Sequence, residues 1–340
     1  MISLFKPTLK RKDMDSVLSC MVSDRLAPGL YAQEFVHEIS QRLKAGGGAA
    51  LAGYYQAVRL AFDLLGLQKG EGVVISPLAP AVYASVLSAL GLTPIFVDVD
   101  PLSGLVAPEE FRKILDRSPR AVVLHHTLGM TYDTSPFVAS GLKVVEDVSQ
   151  SLGAQWGDAP AGSGGTITVV ALSEENIITT GGGALVLVRK RSDAQELRKL
   201  LDNNPDYTLL PDLNAAVGLS QTRELTAFLK ARHEIGRVFD EALQRSRHPS
   251  LVQPEGGTAV RYSFPVVVET SLKDVRHYAK KKGIDTRAAF SETIIAMDDN
   301  VYNTFPNAKS LLLRCVLFPL YPMLGRANVE TIARVLAVLP

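Results

Sequence analysis

Cysteine is nearly absent: Cys20 and Cys315 are the only two in 340 residues, far apart and without metal-ligand spacing. That excludes a disulfide scaffold and a thiolate metal site, and it fits a reducing compartment. An excess of either charge is also missing. Lys plus Arg number 36 against 35 for Asp plus Glu, a net charge of +1, whereas nucleic-acid binders concentrate basic residues, so no nucleic-acid partner is expected. No apolar run approaches the ~18 residues of a membrane-spanning helix. The opening Met1-Ile2-Ser3-Leu4-Phe5-Lys6-Pro7 is broken by charge and proline before a signal-type stretch can build, so the expectation is a cytoplasmic protein with no membrane partner. Internal repeats, low-complexity tracts and metal-ligand clusters are lacking too.

What remains is an ordinary globular composition, 46% apolar and 21% charged, with length for about two domains. From residue 73 to 171, short β-branched runs alternate with helical patterns, the signature of βαβ units feeding a mainly parallel sheet. Strands are expected at 73–76, 94–97, 121–124, 144–146 and 166–170, with another at 184–188 after a glycine triplet. Residues 80–90 and 108–115 read as crossover helices, the second opening with Pro108, Glu109 and Glu110 as helix N-termini favour. A long helical pattern over 212–243 bridges two lobes. A polar stretch at 244–257 then leads into a smaller α+β unit, with a strand in 260–268 and helices at 272–282 and 328–339. The expected domains are residues 1–240 and 241–340. Gly46 to Gly48 and Gly162 to Gly165 match no Walker or dinucleotide fingerprint and are assigned to turns.

Several segments carry a family resemblance. Gly91-Leu92-Thr93-Pro94-Ile95-Phe96-Val97-Asp98-Val99-Asp100 resembles the GATPVFVDVD segment of the DegT and StrS family of sugar aminotransferases. In the family's order follow His126-Thr127-Leu128-Gly129 for HLYG, Glu146-Asp147-Val148-Ser149-Gln150 for EDAAQ, Thr179-Thr180-Gly181-Gly182-Gly183-Ala184 for TTGEGGA, Ala215-Ala216-Val217-Gly218 for AAIG and Phe318-Pro319-Leu320-Tyr321-Pro322 for LPLYP. The resemblance spans nearly the whole chain. It implies the fold type I pyridoxal-phosphate enzyme architecture: a large α/β/α domain around a mostly parallel seven-stranded sheet, a small α+β C-terminal domain, and active sites at a homodimer interface. The implied cofactor is pyridoxal phosphate (PLP) or its amine form, pyridoxamine phosphate (PMP). The implied reaction moves an amino group from glutamate to a nucleotide-linked keto sugar.

Position by position, the resemblance places Asp147 against the protonated pyridine nitrogen, Gln150 near the ring hydroxyl and His126 close to the cofactor. From the residues alone, Asp147 and Gln150 read equally as turn residues after a strand, and His126 as a structural histidine at a strand end. Other positions depart from the pattern. Asn176 stands where the cofactor lysine belongs; its amide nitrogen, with the lone pair delocalised into the carbonyl, cannot form the imine a lysine amine forms. The SGT phosphate turn becomes Gly53-Tyr54-Tyr55, with Tyr55 for threonine and Gln56 following. The serine before the lysine becomes Ala171, and the asparagine that reaches across the dimer becomes Tyr207. The ring-stacking aromatic becomes Pro80, with Tyr83 one helical turn later as a substitute. Three lost donors at ~1.5–3 kcal/mol each amount to roughly 5–9 kcal/mol of phosphate binding, about three to six decades of affinity.

Two readings follow. One is a homologue without transaminase activity that uses the inherited fold to bind a ligand or partner, such as a nucleotide sugar, in sugar or polysaccharide metabolism. The other is a PLP- or PMP-dependent aminotransferase or dehydratase acting on a nucleotide-linked keto sugar, as the family's dehydratases do with a histidine at the lysine position.

Overall fold

Val73, Val74 and Ile75, like Val122, Val123 and Leu124, are wholly buried. Continuous apolar runs of this kind mark strands covered on both faces, as in a parallel sheet flanked by helices. The computed structural model describes residues 1–340 and contains that sheet. Its strands are β1 (Gly47–Leu51), β2 (Gly72–Ile75), β3 (Thr93–Phe96), β4 (Ala121–His125), β5 (Lys143–Asp147), β6 (Ile167–Ala171) and β7 (Ala184–Val188). Their spatial order is β1-β7-β6-β5-β4-β2-β3. Neighbours from β3 through β6 run parallel, while β7 runs antiparallel to both β6 and β1.

The first strand corrects the assignment of Gly46 to Gly48 to turns. Gly47 and Gly48 open β1, and a Cβ on Gly48 would lie 2.5 Å from both the Leu187 side chain and the Val186 carbonyl oxygen. Glycine there lets β1 close against β7. The helix expected at 108–115 is shorter, Pro108–Lys113, and yields to a 3-10 turn at Leu115–Arg117. The long helix is Asp212–Leu243, and the last helix is Arg326–Leu336. Two N-terminal helices without an apolar run of their own, Arg11–Val22 and Leu30–Arg42, pack on the long helix.

Two apolar cores share that long helix. Its Ala215, Leu219, Leu225 and Phe228 join the core around the sheet. Phe239, Ala242 and Leu243 join a second core with strands Phe264–Val267 and Cys315–Phe318. The buried Arg232 ties the halves together, donating to the carbonyl oxygens of Arg261, Tyr262 and Leu320 at 3.0, 2.8 and 2.8 Å. Phe290, Ile294 and Ile295 belong to the larger core, so residues 287–295 lean over the sheet edge where three strands end together. No helix is long and apolar enough to cross a membrane.

Candidate active site

His125, Asp147 and Ala171 are the last residues of the adjacent parallel strands β4, β5 and β6. Open α/β sheets place ligands outside such carboxyl ends. Asp147 is fully buried. One carboxylate oxygen, Oδ1, accepts from the Ser149 N–H at 2.9 Å and the Ser149 hydroxyl at 2.5 Å. The other, Oδ2, accepts from the Tyr83 hydroxyl at 2.8 Å and from the Tyr54 hydroxyl. Burial works to raise the Asp147 pKa, but the His125 imidazole 3.7 Å away and the hydrogen bonds from Ser149 and Tyr54 outweigh it. The carboxyl therefore lies below the usual carboxylate range and stays ionised. Burial, then the neighbouring Asp147 charge, pushes Tyr54 and Tyr83 well above the ordinary phenol range, so both remain donors.

A cavity of about 390 Å³ opens above this carboxylate, bordered on its inner side by Tyr54, Pro80, His125, Gln150, Ala171 and Asn176. Asn176 sits on the loop between β6 and β7, which closes on itself through Thr180 N–H and Gly182 N–H to the Leu172 carbonyl at 3.1 and 3.2 Å. Gly183, at φ 88°, ends the loop; a Cβ there would lie 2.7 Å from the Leu51 carbonyl oxygen. The Asn176 amide bonds on both its atoms, donating to the Ser149 carbonyl at 2.9 Å and accepting from Ser173 N–H at 2.8 Å and its hydroxyl at 2.7 Å. At the mouth, Arg287 grips Glu175 bidentately at 2.8 and 2.7 Å and reaches Glu292 at 3.3 Å.

Among the residues singled out from the sequence, Gln150, Ala171 and Asn176 border the cavity, and Asp147 lies beneath it. Gln150 accepts from Leu128 N–H at 2.7 Å. Five others do not border this cavity. His126 lies on the opposite face of the sheet, 3.0 Å from Glu146 Oε2. Tyr55 is 41% exposed. Gln56 donates to the Asp206 carbonyl at 3.0 Å. Tyr207, which the resemblance gives to the site of a second copy, donates to Asp63 within its own chain. Tyr83 does not border the cavity but stands behind Tyr54, edge to face at 6.3 Å. Tyr54, His125, Ser149 and Arg287 are the site residues the sequence reading missed.

A seven-stranded, mostly parallel sheet with a buried aspartate at the end of its fifth strand and a small unit leaning over that edge defines the fold type I architecture of pyridoxal-phosphate-dependent transferases. The chain belongs to the DegT/DnrJ/EryC1/StrS aminotransferase family, whose sequence pattern it matches over residues 7–337. It is 23% identical to a GDP-perosamine synthase of Escherichia coli O157:H7, over 96% of this chain and 95% of the relative. It is 24% identical to the spore coat polysaccharide biosynthesis protein SpsC of Bacillus subtilis, over 96% and 94%. Among solved structures, the aminotransferase TlmJ from Streptoalloteichus hindustanus superposes with a TM-score of 0.92 at 22% identity, covering 99% of this chain and 98% of that one.

Pyridoxal phosphate needs a lysine for its aldehyde, a carboxylate free for its ring nitrogen and donors for its phosphate. No lysine borders the cavity. Both Asp147 oxygens are already bonded, Oδ2 by two phenols, and the Tyr54 side chain runs from the N-terminus of the helix that would cradle the phosphate to that carboxylate. The residues present do not fit the group.

Proposed function

We propose that this chain is a sugar-aminotransferase homologue that does not transaminate, and that its cavity over Asp147 binds a ligand or partner in sugar or polysaccharide metabolism. The observation that supports the reading is that no lysine borders the cavity, while Asn176, at the position the family resemblance gives to the cofactor lysine, has its amide bonded to Ser149 and Ser173. A nucleotide-linked sugar is the favoured ligand class, since GDP-perosamine synthases are among the relatives. The test is incubation of the purified chain with pyridoxal phosphate, borohydride reduction and peptide mapping. No covalent adduct is expected within the cavity, and an adduct on a residue bordering it would overturn the reading.

One observation favours a second reading, a pyridoxamine-phosphate enzyme acting on a nucleotide-linked keto sugar. His125 borders the cavity beside Asp147, and an imidazole at a ligand site can serve as a general acid or base. Tight non-covalent binding of pyridoxamine phosphate by the unmodified chain would select that alternative.

Pairing with a second copy belongs to the same proposal. Met14, Leu18 and Met21, spaced along one face of helix Arg11–Val22, are 62%, 58% and 52% exposed, an apolar stripe of the sort that association covers. Sedimentation equilibrium is expected to return a dimer, and a monomer at all concentrations would remove this part.

A further inference from the structure

Tyr54 is the first residue of the helix Tyr54–Leu65. Its side chain runs from that helix N-terminus to Asp147, where its hydroxyl bonds Oδ2. The ring stands edge to face on Tyr83, 6.3 Å between centroids at 83°, and Tyr83 is edge to face on Phe62 at 6.4 Å and 82°. Tyr83 and Phe62 are both buried in the main core, which fixes the direction in which Tyr54 points. Tyr54 borders the cavity. The first backbone N–H bonded within the helix is that of Ala57, to the Gly53 carbonyl at 3.1 Å, and no side chain caps the turn before it.

We propose that Tyr54 is a resident stand-in for the cofactor. Its aromatic ring fills the slot between the helix N-terminus and Asp147, and its hydroxyl takes the carboxylate contact that a pyridine nitrogen makes in a cofactor-loaded relative. The inference rests on the reading that the chain works without an imine, and it adds a physical reason. Without Tyr54, Asp147 would keep the Ser149 and Tyr83 donors but lose one of the two phenols on Oδ2 and the ring packed beside it. A phenol delivered from the helix N-terminus supplies that charge-assisted bond and fills the space. The cavity left above the Tyr54 ring is therefore the finished binding site, with Tyr54 as part of its floor.

Replacing the side chain tests this by chemical rescue on the full-length chain. Calorimetric titration with pyridoxamine phosphate is expected to show binding to Tyr54→Ala at least about tenfold tighter than to the unmodified chain. Added phenol, which has the shape of the deleted ring, is expected to raise the melting temperature of Tyr54→Ala and leave the unmodified chain unchanged. Tyr54→Phe keeps the ring, so it is expected to exclude pyridoxamine phosphate as the unmodified chain does, while melting lower for loss of the hydroxyl. The stand-in role is overturned if the unmodified chain binds pyridoxamine phosphate as tightly as Tyr54→Ala, or if Tyr54→Phe binds it as Tyr54→Ala does. Where Tyr54→Ala does not fold alone, phenol during refolding is expected to recover it, and failure to do so also counts against the role. Non-covalent binding by the unmodified chain as tight as by Tyr54→Ala would overturn the role of Tyr54 without a cavity adduct appearing, so the absence of an imine is judged separately.

Discussion

Replacing Glu146 by alanine is expected to destabilise the protein by at least about 3 kcal/mol, read from urea unfolding midpoints at neutral pH. Glu146 is 1% exposed and holds four donors in the sheet interior. Oε2 accepts from Gly162 N–H at 2.9 Å and faces His126 Nε2 at 3.0 Å, and Oε1 accepts from Gly164 and Gly165 N–H at 2.8 and 2.5 Å. Alanine would strand several buried donors at once, each costing ~1–3 kcal/mol without a partner. Glu146→Gln keeps one acceptor oxygen for Gly164 and Gly165 while its NH2 faces the Gly162 N–H, and it is expected to cost less than alanine. The same carboxylate makes stability depend on pH. Burial works to raise its pKa, but the bond and charge of His126 and the N–H groups of Gly162 and Gly165 outweigh it, so the folded-state value lies below the unfolded one. A depressed folded value adds stability above the unfolded pKa of ~4.3, and that stability is lost as pH falls through the folded value. Asp147 is depressed in the same direction. The unmodified chain is therefore expected to lose stability steeply below about pH 4. Glu146→Gln is expected to lose it less steeply, retaining the slope that Asp147 supplies; an unchanged slope would show that Glu146 does not carry this dependence.

The exchange of His126 for His125 at the cavity shows where the sequence stops informing. β4 ends in His125 with His126 after it, and β5 ends in Glu146 and Asp147. Successive strand residues face opposite sides, so each pair sends one member to each face. The register pairs His125 with Asp147 and Leu124 with Glu146, which puts His125 and Asp147 on the cavity face and leaves Glu146 and His126 together on the other. A slip of one residue would swap both pairs, and nothing in the local composition fixes that register. Tyr54 and Tyr55 pose the helical form of the same problem. Neighbouring residues on a helix point ~100° apart, and which phenol turns inward depends on where Gly53 starts the helix. The parallel strands were readable because their apolar runs are continuous. β1 was not, because its opening glycines serve a close approach to β7 and carry no hydrophobic pattern.

Asn176→Lys alone is expected to leave position 176 almost untrapped by pyridoxal phosphate and borohydride, whereas the double variant Asn176→Lys, Tyr54→Ala is expected to trap at least about tenfold more. An amine at position 176 would replace an amide that borders the cavity, which meets the covalent requirement. It does not clear the slot. For the ring to reach Asp147, the Tyr54 hydroxyl must leave a charged acceptor, a contact of ~1.5–3 kcal/mol, or about ten- to a hundredfold in affinity before any cost of moving the ring. Removing Tyr54 deletes that competitor and frees the helix N-terminus for phosphate. Reductive trapping with peptide mapping to position 176 separates this from reaction at surface lysines. Equal trapping in the single and double variants would mean that the missing amine alone keeps the cofactor out. The expected ordering would mean that reversing the loss requires undoing two changes at once, because a lysine at position 176 supplies the amine while Tyr54 still holds the Asp147 contact.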